Sequence, residues 1–233
     1  MPKINPTLLA IDTCTEACSA ALLHDGRVFF ESVNAPREHS QRLLGMANAL
    51  LSEAEISLQD IDGIAYGRGP GSFTGIRICT SMTQGLALGH DIPVYGVSTL
   101  ETMAQIAKEQ GANQVFCAID ARMSEVYTAQ YRIDEESIIP VSNEQVCSPD
   151  SVKIELNHSK VITVCGTGIS AYPDLKDKVS NIELQTLAEL PNAKAMLPLA
   201  INAWEQNLYT SVDELSPVYL RDTVTWKKLP GRE

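Results

Sequence analysis

Nothing in this chain is spaced to hold a metal. Its six cysteines (Cys14, Cys18, Cys79, Cys117, Cys147, Cys165) include no C-x-x-C pair, and its four histidines (His24, His39, His90, His158) never fall at ligand spacing. With no H-E-x-x-H or similar pattern, the signature of a zinc hydrolase is missing. No apolar run reaches the roughly 18 residues that a membrane span needs. Residues 1–6 do not have the layout of a secretory signal, so a cytoplasmic protein with reduced, buried thiols is expected. Ser19, Ser72 and Ser98 lie outside any G-x-S-x-G elbow, which removes the usual mark of a serine hydrolase. No lysine occurs between Lys3 and Lys108, which leaves no Walker-type phosphate loop in that interval.

Positive charge is also scarce. Of a net −11, residues 218–233 hold four basic and two acidic side chains, a net +2, leaving −13 on the rest. A body of that sign repels a phosphate backbone, so any nucleic acid has to be held mainly by something else. Trp226, Lys227, Lys228 and Arg232 form the one basic-aromatic cluster, a tail suited to meeting RNA or a partner protein. At 233 residues, 44% apolar and 20% charged, the chain can bury a good core as one large domain or two small ones.

The most informative segment is Tyr66-Gly-Arg-Gly-Pro-Gly-Ser-Phe-Thr-Gly-Ile-Arg77. Gly67, Gly69, Pro70 and Gly71 separate a strand-like stretch, 61–66, from a helix-like one, 74–90, and read as a built structural turn. Ser72 or Thr74 can cap the helix. A glycine turn opening a helix is also the shape of a phosphate cradle. Its spacing fits neither G-x-G-x-x-G nor G-x4-G-K-[ST], and a tight joint with a packing role is the better reading.

Two stretches repeat. Residues 8–12 end in Ala-Ile-Asp12, turn, and continue as a strand at 18–23; residues 116–120 end in Ala-Ile-Asp120, turn, and continue at 126–131. Shared strand–turn–strand context reads as an internal duplication. Between them the pattern predicts strands at 27–32, 63–66 and 94–97 and helices at 38–54, 74–90 and 100–109, with Gly111 as a stop. Beyond 111, strands are expected at 115–119, 126–132 and 161–164, and a helix at 196–208. Strands and helices repeated in this way predict a duplicated α/β fold, divided at 1–110 and 111–233.

Two helices look made for contact. The 74–90 helix carries one formal charge, Arg77, among Gly75, Ile76, Ile78, Met82, Gly85, Leu86 and Leu88. The 38–54 helix has a stripe at Leu43, Ala47, Leu50, Leu51 and Ala54, widened by Gly45, Met46 and Ala49. Both apolar arcs exceed the usual 100°, so the helices either cover each other or build a subunit interface. His39, Leu43, Met46, Leu50, Gly75, Ile78, Met82, Gly85 and Leu86 are the candidate interface residues. His39 heads its helix, where capping or interface contact suits it better than general-base work.

These residues resemble the bacterial TsaB (YeaZ) family. Besides the glycine run, Ala10-Ile-Asp-Thr13, Arg37-Glu-His-Ser40, Gly96-Val-Ser-Thr-Leu100, Ala118-Ile-Asp-Ala-Arg122 and Pro217-Val-Tyr-Leu-Arg221 match it in order across nearly the whole chain. The resemblance implies an actin/Hsp70/sugar-kinase-like (ASKHA) fold with two related subdomains, each a mixed sheet flanked by helices. It implies a noncatalytic subunit in forming threonylcarbamoyladenosine in tRNA, paired with a catalytic paralogue, TsaD, joined by a small ATPase, TsaE, and homodimeric when alone. ATP and a metal are then expected on the partners and none on this chain. Where the paralogue carries His-x3-His, this chain has Thr99 and Met103. Folds of this kind hold phosphates on two glycine-bearing hairpins; here these are 12–16 and 120–123, and neither contains glycine. Asp12 and Arg122 remain weak ligand candidates, with Gly166 and Gly168 in a turn that has the look of an adenine contact but is equally a plain strand-to-helix turn. The tail from about 217 can return onto the first half. A phosphotransferase of the same fold and a peptidase acting on a partner are the rival functions.

Overall fold

The computed structural model describes residues 3–135, 137–179, 182–184 (backbone alone) and 188–221; the Trp226–Arg232 cluster lies outside them. The first half forms β1 (Leu8–Asp12), β2 (Ala17–His24), β3 (Arg27–Asn34), α1 (His39–Glu53), β4 (Gly63–Gly69), α2 (Phe73–Leu88), β5 (Val94–Ser98) and α3 (Thr99–Glu109). The second forms β6 (Gln114–Arg122), β7 (Glu125–Ile133), β8 (Ile138–Pro140), β9 (Gln145–Cys147), β10 (Ile162–Cys165), α4 (Gly168–Ala171), β11 (Ile182–Leu184) and α5 (Ala193–Glu205).

The duplication is visible strand by strand. The first sheet runs β3-β2-β1-β4-β5 and the second β8-β7-β6-β10-β11. In both, the first three strands pair antiparallel and the last two add parallel. Asp12, the last residue of β1, and Asp120, two residues before the end of β6, sit at matching places on the equivalent central strands. This is the duplicated α/β architecture, two mixed sheets flanked by helices, expected above. The five-residue β1 is apolar up to Asp12 and wholly buried because helices cover both of its faces. The edge strand β3 is mostly exposed and is reached through Asp25-Gly26, both at positive φ, a residue pair that favours a tight hairpin turn.

The helices do not respect the repeat. On one face of the first sheet, α1 and α2 bury Leu43, Met46, Leu50 and Cys79 against Leu9, Ile11, Leu22 and Ile64. The other face, with Leu8, Ala10, Ala21 and Ala65, is covered by Ala193, Met196, Leu197 and Ala200 of α5, a helix from the second half. Reciprocally, α3 from the first half places Leu100, Met103, Ala104 and Ala107 on the second sheet. Each half lends the other a helix, and the two exchanged helices pack together. A cut at residue 110 therefore separates the sequence repeat but crosses the packing. The α5 helix begins at Ala193 rather than 196 because Asn192 accepts a hydrogen bond from Ala195 N at 3.0 Å.

Candidate functional site

Three segments meet at the cleft between the lobes: the β1–β2 hairpin, the glycine turn after β4, and the β6–β7 turn. The glycine turn is closed onto the first hairpin. Ser72 N donates to Cys14 O at 2.7 Å, Thr13 Oγ1 donates to Gly75 O at 2.7 Å, and Cys14 Sγ lies 3.2 Å from Gly67 O. Glycine is required by contact here. A Cβ at Gly71 would sit 2.1 Å from Cys14 O, and one at Gly75 would sit 2.1 Å from Thr13 O. Ser72 then caps α2 through Gly75 N. The turn is thus a structural joint, closed onto the Thr13 and Cys14 carbonyls of the first hairpin.

Asp12 is buried beneath this joint. Its Oδ1 accepts from Cys14 N at 3.2 Å, while Oδ2 and His39 Nε2 are both buried without a hydrogen-bond partner. Burial pushes its carboxyl above the usual range; hydrogen bonds from Cys14 and the attraction of His39 offset only part of that. The folded chain consequently holds this proton more tightly than the unfolded one. Stability therefore falls as pH rises from the ordinary carboxylate range through the raised folded value, and is level above it. Asp12→Asn is expected to be more stable than the parent at pH 7 by on the order of 1 kcal/mol. The gain should shrink as pH falls toward the ordinary carboxylate range. Urea titrations at two pH values check this; an Asn variant less stable at pH 7 would mean that the charge has a compensating partner.

In the second hairpin, Asp120 accepts from Arg122 N and from Tyr172 Oη. The Arg122 guanidinium is engaged by two carboxylates, Asp120 Oδ2 at 2.9 Å and Glu16 Oε1 at 3.0 Å, and so bridges the two hairpins. Gly166, at φ +96°, and Gly168 face β6 closely: Cβ atoms there would lie 2.2 Å from Ala118 O and 2.7 Å from Ala118 Cβ. This is strand packing. The four weak ligand candidates divide between the lobes: Asp12 is buried in the first, while in the second Arg122 is held by two carboxylates and Gly166 and Gly168 pack on Ala118. Among the described residues no cluster of His, Cys, Asp or Glu is placed to hold a metal. Thr99 and Met103 are buried, Met103 in the second core.

The interface candidates divide. His39, Leu43, Met46, Leu50 and Gly75 are core residues, because the stripe His39-Leu43-Met46-Leu50 is the side of α1 that faces β2. Leu43, Met46 and Leu50 form no surface, and that expectation is corrected; His39 and Gly75, though buried, line a pocket of about 390 Å³ with Ser40, Ser72 and Ile78. Ile78, Met82 and Leu86 are half-buried, and Gly85 is exposed. The exposed apolar side chains of α1 and α2 are Leu44, Phe73 and Leu88, of which the apolar pattern does not single out Leu44 and Phe73. Together with Arg77, whose guanidinium lies 3.5 Å over the Phe73 ring, they give the α1–α2 pair an outward face, with a groove of about 430 Å³ between Ser40, Phe73, Ile78 and Met82. Gly45 and Gly85 have nothing within 4 Å of a Cβ position, so another helix could approach closely there.

The family model described as TsaD, tRNA N6-adenosine threonylcarbamoyltransferase, matches residues 33–229. At near full length the relatives are named differently. The tRNA threonylcarbamoyladenosine biosynthesis protein TsaB of Escherichia coli is 47% identical over 97% of this chain and 99% of its own. Its counterpart of the same name in Haemophilus influenzae is 44% identical over 98% and 99%. The chain belongs to the TsaB family. The solved structure of YeaZ from Pseudomonas aeruginosa superposes with a TM-score of 0.86 at 42% identity, over 92% of this chain and all of that one. A second structure from that organism, described as an uncharacterized protein with similarity to peptidase YeaZ, gives 0.87. The closed glycine turn and the outward α1–α2 face are thus features of a TsaB-family chain. Among its described residues no helix is long and apolar enough to cross a membrane.

Proposed function

We propose that this chain is a noncatalytic scaffold and activator in transfer of the threonylcarbamoyl group to the adenosine beside the anticodon of tRNAs, working in the cytoplasm. The observation that carries this reading is the first hairpin, whose Cys14 carbonyl is bound by the chain's own glycine turn while Asp12 lies buried under it. A fold of nucleotide-handling ancestry that has packed its own phosphate hairpin supports binding and activation of a partner better than chemistry. ATP and the metal then belong to the partners. The α1–α2 face is the docking surface for TsaD, most of its contact made by Phe73, Ile78, Met82 and the small residues between them, and TsaE joins the pair. Alone, the chain pairs with a second copy through the same face. With net charge −11, tRNA is held by the partners or by the basic tail.

The rival enzymes find little support in the side chains. Ser19 Oγ is buried and accepts from Ala193 N, Ser72 caps α2, and Ser98 caps α3 and is hydrogen-bonded to Glu144. Each is engaged in a structural hydrogen bond. A phosphotransferase would need ATP at the hairpins. Calorimetry of the isolated chain with Mg-ATP is expected to show no heat of binding at millimolar nucleotide, and no turnover; tight binding with hydrolysis would overturn the scaffold reading in favour of the phosphotransferase.

A further inference from the structure

Residues 216–221 touch both lobes in turn. Ser216 N donates to Tyr66 Oη at 3.1 Å, and Val218 N donates to Arg68 O at 2.7 Å. The Tyr219 ring then lies 5.6 Å from Phe73, with the Arg77 guanidinium over both rings. Finally Arg221, only 18% exposed at its side chain, donates to Ala121 O at 3.1 Å and Arg122 O at 3.3 Å and pairs with Glu125.

Those last contacts fall on an unusual turn. Arg122, Met123 and Ser124 have φ of +62°, +57° and +60°, three consecutive side-chain-bearing residues in a left-handed conformation that such residues normally adopt singly. Met123 is 54% exposed, so the turn is not held by burying its own apolar side chain. The Arg221 guanidinium instead takes up the carbonyls that the turn directs outward. From this turn the Arg122 side chain reaches across the cleft to Glu16.

We propose that residues 216–221 are a releasable strap that governs the cleft. With Arg221 seated, the left-handed turn keeps Arg122 bridged to Glu16. With the strap lifted, the turn relaxes and the bridge between the lobes opens. Because Tyr219 rests on Phe73 and Arg77 at the start of α2, a protein arriving on the α1–α2 face competes with it for the same two side chains. Docking therefore lifts the strap, a coupling that rests on the docking reading, whereas the strap itself does not.

Amide hydrogen exchange on the free, full-length chain tests the strap. Arg221→Ala is expected to speed exchange at residues 122–126 by about tenfold or more, and to speed it at 15–17 as well, where Glu16 loses its bridge. Should Arg221→Ala fail to fold, Tyr219→Ala, at a partly exposed residue, provides the same readout at smaller amplitude. Unchanged exchange at 122–126, or a change there without one at 15–17, overturns the proposal. Adding TsaD is then expected to speed exchange at 122–126 in the parent. Binding without that change removes the coupling. Absence of binding sinks the docking reading alone and leaves the free-chain result to decide the strap.

Discussion

Gly75→Ala is expected to cost the fold more than about 3 kcal/mol, enough to lower the melting temperature by roughly 10 °C or to leave the protein insoluble. The added Cβ would lie 2.1 Å from Thr13 O, a backbone atom held in the β1–β2 hairpin, and cannot be relieved by a side-chain rotation. Relief would have to move the start of α2 or the hairpin, and either movement breaks the Thr13–Gly75 and Ser72–Cys14 hydrogen bonds. Gly85→Ala, just under three turns along the same helix, is the control. It meets nothing within 4 Å and should stabilise the protein by about 0.5–1 kcal/mol, the ordinary gain from replacing glycine inside a helix. Urea denaturation of the two variants separates a glycine needed for contact from one that leaves a surface small. Equal behaviour would mean that the glycine turn does not clamp the hairpin.

The second large effect is on association. Ile78→Asp and Met82→Asp each place a carboxylate in the groove between α1 and α2, on the outward side of a helix whose inner side is Ile76, Cys79 and Thr83. Desolvating that charge against a partner is expected to weaken binding to TsaD by at least about 100-fold. Folding should be little changed by Ile78→Asp, whose side chain is half-buried and outside the first core, whereas Met82 packs on that core and its replacement also costs some stability. Circular dichroism with calorimetric titration against TsaD checks the two halves of this statement. Gly85→Ala sharpens it: the variant should be more stable yet bind less well, a combination that loss of folding cannot produce. Variants that fold and bind normally would move the interface elsewhere.

Much of the architecture was legible because buried strands announce themselves. The runs ending at Asp12 and Asp120 are apolar through their length, and each is followed by a polar turn and a second strand, so the repeat could be read directly. The three-residue strands β8, β9 and β11 were not legible; segments so short carry no periodicity. The exchange of α3 and α5 was hidden for a different reason. Local pattern says that a helix follows a strand, but Leu100 and Met103 are as apolar as a helix returning to its own sheet would be. Nor could composition say which side of α1 faces inward. Leu43 and Leu44 are identical residues with opposite fates, one wholly buried and one 46% exposed. The packing role of the glycine turn was readable from its spacing, while the double engagement of Arg122 depended on Glu16, more than a hundred residues away.

The most direct measurement is reconstitution of tRNA modification from purified TsaD, TsaE, threonylcarbamoyl-adenylate and tRNA, with this chain present, absent, or carrying Ile78→Asp. Transfer is expected only with the parent chain, and none from the chain without TsaD. Modification by this chain alone, or full activity of TsaD without it, would contradict a noncatalytic activator whose contribution is its α1–α2 face.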